Sequence, residues 1–183
     1  MKIMTTPLDG LLELQGDAFD DERGSFKRLF CNADFSAVRP NLHFCQINLS
    51  STSRSGAVRG MHFQKPPSAE AKLIRCLKGR AFDVAVDIRS GSPTFLHWHA
   101  VELSPGANNS VFIPEGFAHG FQTLDDDTEL LYFHTAPWRK QDEGTLRFND
   151  PRLGIQWPLP AAAVSDKDRN CALIDADFMG LQL

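Results

Sequence analysis

The chain has 183 residues, enough for one domain (1–183) with a sizeable core. A net charge of -4 lacks the basic footprint of a nucleic-acid binder, and no apolar run approaches the roughly 20 residues of a membrane helix. The four cysteines are scattered without a Cys-x-x-Cys pair and the N-terminus lacks the apolar core of a signal peptide, so reduced thiols and a cytoplasmic location are expected.

Residues 11–14 read as a short extended piece. Residues 17–24, rich in Asp, Glu and Gly, read as a turn, and 25–30 as a second extended piece, with Arg23, Lys27 and Arg28 close together. Residues 34–38 fit one helical turn capped by Asp34 and ended by Pro40. Residues 44–50 form the clearest strand, with Gln46, Asn48 and Ser50 on one face and Cys45, Ile47 and Leu49 on the other. In a plain sandwich the polar face looks at solvent; in a barrel with a ligand cavity it is the lining.

The stretch Arg59-Gly60-Met61-His62-Phe63-Gln64 follows, read as a loop placing a cation and an imidazole at the mouth of the domain. Residues 72–77 and 81–88 read as strands around the turn Lys78-Gly79-Arg80, the second with Phe82, Val84, Val86 and Ile88 on one face and Asp83 and Asp87 on the other. Further strands are expected over 97–103, 110–113, 117–124 and 128–134. Beyond Pro137 the pattern loosens, until Ser165-Asp166-Lys167-Asp168 signals a helix start with Ser165 as N-cap and Asp168 at the capping-box position. Many short strands and little helix argue for an all-β sandwich or barrel, with a few short helices mainly towards the C-terminus. One further feature is compositional: 14 Phe accompany a single Tyr, Tyr132, whose hydroxyl is therefore worth accounting for.

The chain resembles the dTDP-4-dehydrorhamnose 3,5-epimerases. The resemblance rests on Asp21-Glu22-Arg23-Gly24, Arg59 to Gln64, Lys72-Leu73, Phe82 to Asp87, Ser92-Pro93-Thr94, Pro114-Glu115-Gly116-Phe117-Ala118-His119-Gly120-Phe121, Asn149-Asp150-Pro151 and Trp157-Pro158. These stretches keep the family's order and spacing over most of the chain. The resemblance implies a cupin-like β-barrel or jelly roll, no metal and no other cofactor, and a homodimer. It also implies epimerisation at C3 and C5 of a nucleoside-diphosphate 4-keto-6-deoxyhexose, in rhamnose-nucleotide biosynthesis of the kind that feeds lipopolysaccharide O-antigen.

Such chemistry takes a proton from one face of a carbon beside a ketone and returns one to the other. It needs a base near neutral pKa, an acid opposite, and a cation at the developing oxyanion. By resemblance, His62 is the base, Asp168 its orienting partner, Tyr132 the acid and Lys72 the oxyanion cation, with Asp83 on the neighbouring strand as the expected partner of Lys72. Arg59 and Arg23 match diphosphate anchors. Phe26 fits stacking on the nucleobase, and Gln46, Asn48, His119, Glu143 and Lys167 match further substrate contacts.

Two positions depart from the pattern. Position 28 is acidic in the family but Arg28 here, and a guanidinium cannot accept from thymine, which brings a base offering an acceptor, such as cytosine, into consideration. Pro137-Trp138 replaces an aromatic pair near the sugar, so Trp138 leaves open whether C3, C5 or both are inverted. Three competing readings are a sugar-nucleotide 3,4-ketoisomerase, a nucleotide-sugar binding module without turnover, and a metal-binding cupin using His97 and His99.

Overall fold

The computed structural model describes residues 1–183. Its strands are β1 (Lys2–Thr5), β2 (Leu12–Gln15), β3 (Ala18–Asp21), β4 (Gly24–Lys27), β5 (Gln46–Thr52), β6 (Ala57–Gln64) and β7 (Lys72–Lys78). They continue as β8 (Ala81–Asp87), β9 (Trp98–Leu103), β10 (Asn109–Ile113), β11 (Phe117–Thr123), β12 (Thr128–His134), β13 (Glu143–Thr145) and β14 (Ala163–Val164). Two one-turn helices, α1 (Asn32–Ser36) and α2 (Asp166–Asn170), complete the chain.

One sheet runs β1-β2-β10-β7-β12-β5 and the other β13-β6-β11-β8-β9, with β14 added in parallel beside β6. The two sheets face each other as a cupin-like jelly roll, the expected all-β architecture. Alternation along each strand divides the apolar side chains among three layers. Between the sheets, Ile74, Leu103, Val111, Ile113, Phe121 and Leu130 fill one end. The opposite face of β8, Val84 and Val86, is covered from outside by Leu153, Ile155 and Ile174, which explains what the loosely patterned C-terminal stretch is for. Outside the first sheet, Phe35 of α1 packs on Leu73 and Phe112.

Several expectations need correction. Residues 18–21 are a strand; the turn is confined to Glu22-Arg23, where Asp21 accepts the Arg23 backbone N–H at 2.8 Å. The hairpin β3–β4 pairs only with itself. The N-cap of the first helix lies three residues earlier than its acidic residue suggested. Cys31 occupies the N-cap with no side-chain cap, and Asp34 lies 3.5 Å from the N-terminal ammonium instead. The stretch Arg59 to Gln64 is the interior of β6, not a loop.

The face assignment of β5 turns out to invert the usual rule. It is the edge strand of its sheet, its polar face (Asn48, Ser50) lines a cavity, and Ile47 and Leu49 are 60% and 55% exposed.

Candidate active site

The core layer between the sheets stops short of one end of the barrel, leaving a cavity of about 280 Å³ there. A second compartment of about 560 Å³ adjoins it, and Arg59 and His62 line both. β6 and β11 cross tightly beside it. A Cβ on Gly60 (φ +136°) would collide with the Gly120 Cα, and one on Gly120 would lie 2.8 Å from the Arg59 carbonyl. This close approach sets His62 and His119 opposite each other in register.

His62 Nε2 lies 2.6 Å from Asp168 Oδ1. Asp168 arrives from α2, where Ser165 Oγ accepts its backbone N–H at 3.1 Å, the expected N-cap. Its carboxylate does not complete a capping box; it turns to His62 and accepts the Gly60 N–H at 3.3 Å. Burial would push its pKa up, but the hydrogen bond and charge from His62, with Gly60 and Ser165, outweigh that and hold it below the usual range. A carboxylate only accepts, so Nε2 carries the proton and Nδ1 keeps the lone pair.

On the far side of β11, His119 Nε2 donates to Asp83 Oδ2 at 2.9 Å. Burial, opposed by Asp83 and reinforced by the charges of Lys72 and His62, lowers the His119 pKa and keeps the ring neutral. The expected Lys72–Asp83 pair is therefore corrected: Asp83 holds His119, and the carboxylate beside Lys72 is Glu70, 3.3 Å from Nζ. The sequence reading missed Glu70 because it lies outside β7, although its spacing of two from Lys72 was a usable signal.

Tyr132 projects into the cavity from β12, in the opposite sheet to His62. Its ring stacks on His134 (5.9 Å, 14°) and meets His119 edge-on (5.8 Å, 71°). Burial and the nearby Asp83 charge, only partly offset by Arg59, raise its pKa well above 10, so the phenol stays protonated. The cavity thus faces a carboxylate-held imidazole with a neutral acid across a gap that also holds an ammonium. That is an arrangement for removing and returning a proton under a developing negative charge.

The family model described as dTDP-4-dehydrorhamnose 3,5-epimerase matches residues 5–176. The dTDP-4-dehydrorhamnose 3,5-epimerase of Shigella flexneri is 40% identical over 180 residues, 97% of this chain and 99% of that one. The chain belongs to the dTDP-4-dehydrorhamnose 3,5-epimerase family. It is an epimerase, and hence an isomerase. The crystal structure of the enzyme from Elizabethkingia anophelis NUHP1 superposes with TM-score 0.91 at 38% identity, over 97% of this chain and 98% of that one. That of the Legionella pneumophila Philadelphia 1 enzyme, solved in complex with dTDP-4-keto-L-rhamnose, has TM-score 0.91 at 36% identity, over 100% and 98%.

Around the mouth of the epimerase cavity, the polar candidates divide into two groups. Asn48, Arg59, Trp138 and Glu143 line the main compartment, and Lys167 lines the adjoining one, 2.5 Å from Glu143. Gln46 sits beside them, its Oε1 accepting the Trp138 backbone N–H at 3.2 Å. Arg23, Phe26 and Arg28 are elsewhere. Arg23 and Phe26 belong to the exposed β3–β4 hairpin, where Arg23 pairs with Asp21 and Phe26 is 73% exposed. None of the three lines either compartment.

His134, two residues from Tyr132 on the same face of β12, also lines the cavity and bonds Glu70. His99 donates to Glu13 at 2.8 Å, away from the cavity, and no group of three metal-ligating side chains gathers around it or His97.

Proposed function

We propose the residue-level mechanism by which this epimerase inverts carbons flanking the ketone of a nucleoside-diphosphate 4-keto-6-deoxyhexose, of the dTDP-4-dehydro-6-deoxyglucose type. His62 removes the proton through Nδ1, with Asp168 fixing the tautomer and stabilising the imidazolium. The electron pair moves onto the keto oxygen, where Lys72 supplies positive charge. Tyr132 delivers a proton to the opposite face of the carbon. Neutral His119, oriented by Asp83, accepts from a sugar hydroxyl through Nδ1. Exchange with solvent then reprotonates the phenolate and discharges His62.

The observation that carries this reading is the 2.6 Å His62–Asp168 pair facing Tyr132 across one cavity. Arg59 and Lys167, in the adjoining compartment, suit the diphosphate. Gln46, Asn48, Trp138 and Glu143 suit the sugar and nucleoside. The assembly we propose is a cytoplasmic homodimer of single-domain subunits, serving O-antigen rhamnose. It is supported by the apolar edge strand β5 and by the isolated hairpin, whose Phe19 and Phe26 are 65% and 73% exposed. In this arrangement the hairpin carries Arg23, Phe26 and Arg28 to the cavity of the second copy.

The test is incubation with the 4-keto-6-deoxyhexose nucleotide in deuterated water. Label at C3, C5 or both is the expected result and also counts the centres inverted. Its absence would refute the epimerase mechanism in favour of a binding module. His62→Ala should reduce exchange by at least about 10²-fold. Tyr132→Phe should spare proton removal more than inversion. Running dTDP- and CDP-linked substrates side by side tests whether Arg28 changes the base.

A further inference from the structure

The mechanism above leaves one pair of titratable groups in the cavity unused, Glu70 and His134. His134 ends β12 and sits in register with Lys72, the first residue of β7. Glu70 Oε1 lies 3.3 Å from Lys72 Nζ, and Oε2 lies 2.8 Å from His134 Nδ1. The side chains of Glu70, Lys72 and His134 are only 7%, 10% and 11% exposed. Burial would push the Glu70 carboxyl up, but the His134 hydrogen bond and the Lys72 charge outweigh it and hold it below its usual range. Glu70 is therefore an ionised acceptor facing two donors.

That fixes the next link. Since a carboxylate only accepts, the proton of neutral His134 resides on Nδ1 and Nε2 offers a lone pair. The Asn48 side-chain nitrogen lies 3.3 Å from Nε2 and must donate to it. What Asn48 has left for a ligand is its carbonyl oxygen and its second N–H.

We propose that Glu70 is a positioning residue of the epimerase site: one carboxylate aims Lys72 and, through the tautomer of His134, sets which way round Asn48 presents its amide to the sugar nucleotide. The oxyanion cation and a substrate-binding amide are thereby oriented by a single group. The inference rests on the mechanism proposed above.

Glu70→Gln tests it without removing volume. A glutamine accepts from Lys72 through its oxygen, and its NH₂ donates to His134 Nδ1. The imidazole proton then moves to Nε2, and Asn48 must turn its amide round. Steady-state epimerisation and solvent deuterium exchange should show kcat reduced about 10- to 100-fold in the variant, the scale of misplacing a group near reacting atoms. KM for the sugar nucleotide should rise several-fold as well.

The decisive arm is rescue. In the Glu70→Gln background, Asn48→Asp places an acceptor opposite the new Nε2–H and should recover much of the lost KM. The same Asn48→Asp change in the wild-type background sets a carboxylate against a lone pair and should worsen it. Label in the wild type with unchanged Glu70→Gln kinetics would overturn the positioning role and leave the epimerase mechanism standing. No label in the wild type overturns both. Losses that track a lowered melting temperature, with no rescue by Asn48→Asp, would show Glu70 to be merely structural and overturn the proposal.

Discussion

Asp83 and Asp87 lie four residues apart on the same face of β8, with relative exposures of 2% and 0%. At the turn end, Asp87 accepts from five donors. Oδ1 takes the Arg89 N–H at 3.0 Å and Nε at 2.9 Å; Oδ2 takes Arg89 Nη2 at 2.7 Å and the Ser92 and Thr94 hydroxyls at 2.6 Å each. At the cavity end, Asp83 has one hydrogen bond, from His119, and its Oδ1 is buried without a partner. Buried polar groups are normally satisfied, so an orphan oxygen marks a place where something other than stability is being served. The saturated carboxylate closes the turn that sets Arg89 over the Phe117 ring at 4.7 Å, at the start of β11. The unsaturated one orients the imidazole that we propose meets the sugar.

Exchanging each aspartate for asparagine should break the two apart in opposite directions. Asp83→Asn removes the charge that fixes the His119 tautomer and should lower kcat/KM by on the order of 10³-fold, about 4 kcal/mol of barrier. Its stability should stay within about 1 kcal/mol of wild type, because a buried carboxylate with a single hydrogen bond becomes a neutral amide whose oxygen can still accept it. Epimerase kinetics and urea melts on the same preparation check both halves. Asp87→Asn should do the reverse. It leaves Arg89 without its carboxylate and should cost about 3 kcal/mol of stability, read from the urea midpoint. The kcat of the remaining folded enzyme should change less than about threefold, since Asp87 touches neither compartment.

The next effect is a pH dependence. Burial pushes Asp87 up, but its bonds to Arg89, Ser92 and Thr94 prevail and bring it from 3.8 down to about 2. A carboxyl depressed in the folded state binds protons more readily in the unfolded one. Its contribution is therefore fully present above about pH 4 and lost as pH falls towards 2. A depression of this size is worth about 2 kcal/mol. The stability gap between wild type and Asp87→Asn should narrow by that amount between pH 5 and pH 2, measured by denaturant melts across the range.

The same strand shows how far a sequence can be read. Period two correctly placed both aspartates on one face, and the strands over 72–134 emerged close to their observed limits, because alternation there reports burial directly. It could not say that Asp83 would find His119 while Lys72 found Glu70. Asp83 and His119 sit on neighbouring strands of one sheet, β8 and β11, and which strands become neighbours leaves no mark in local spacing; Glu70 lies only two residues from Lys72 but outside the strand pattern. The pairing of Glu70 with His134, 64 residues further on, was illegible for the same reason as that of Asp83 with His119. β5 was legible in periodicity but ambiguous in direction, since its polar face is the inner one and the edge position leaves Ile47 and Leu49 exposed. Only the first strand of the hairpin, β3, was misread as part of the turn, because Asp, Glu and Gly crowd the tip; β4 falls largely within the extended piece expected over 25–30. Arg23 and Phe26 could be matched to ligand contacts by motif, yet a single chain does not carry them to the cavity.

The smallest effect sharpens the comparison further. Ser92→Ala removes one of the five donors on Asp87 and leaves four, so the carboxylate stays ionised and largely satisfied. The cost should be only about 1 kcal/mol. The Asp87 pKa should nevertheless rise, because one of the bonds holding it down is gone. Acid unfolding of Ser92→Ala should therefore begin at higher pH than in wild type, while its loss at pH 7 stays small. Combining it with Asp87→Asn should cost less than the sum of the two, since the hydroxyl acts through the carboxylate. Full additivity would mean that Ser92 stabilises the turn independently of Asp87, for instance through its acceptance of the Thr94 N–H at 3.2 Å.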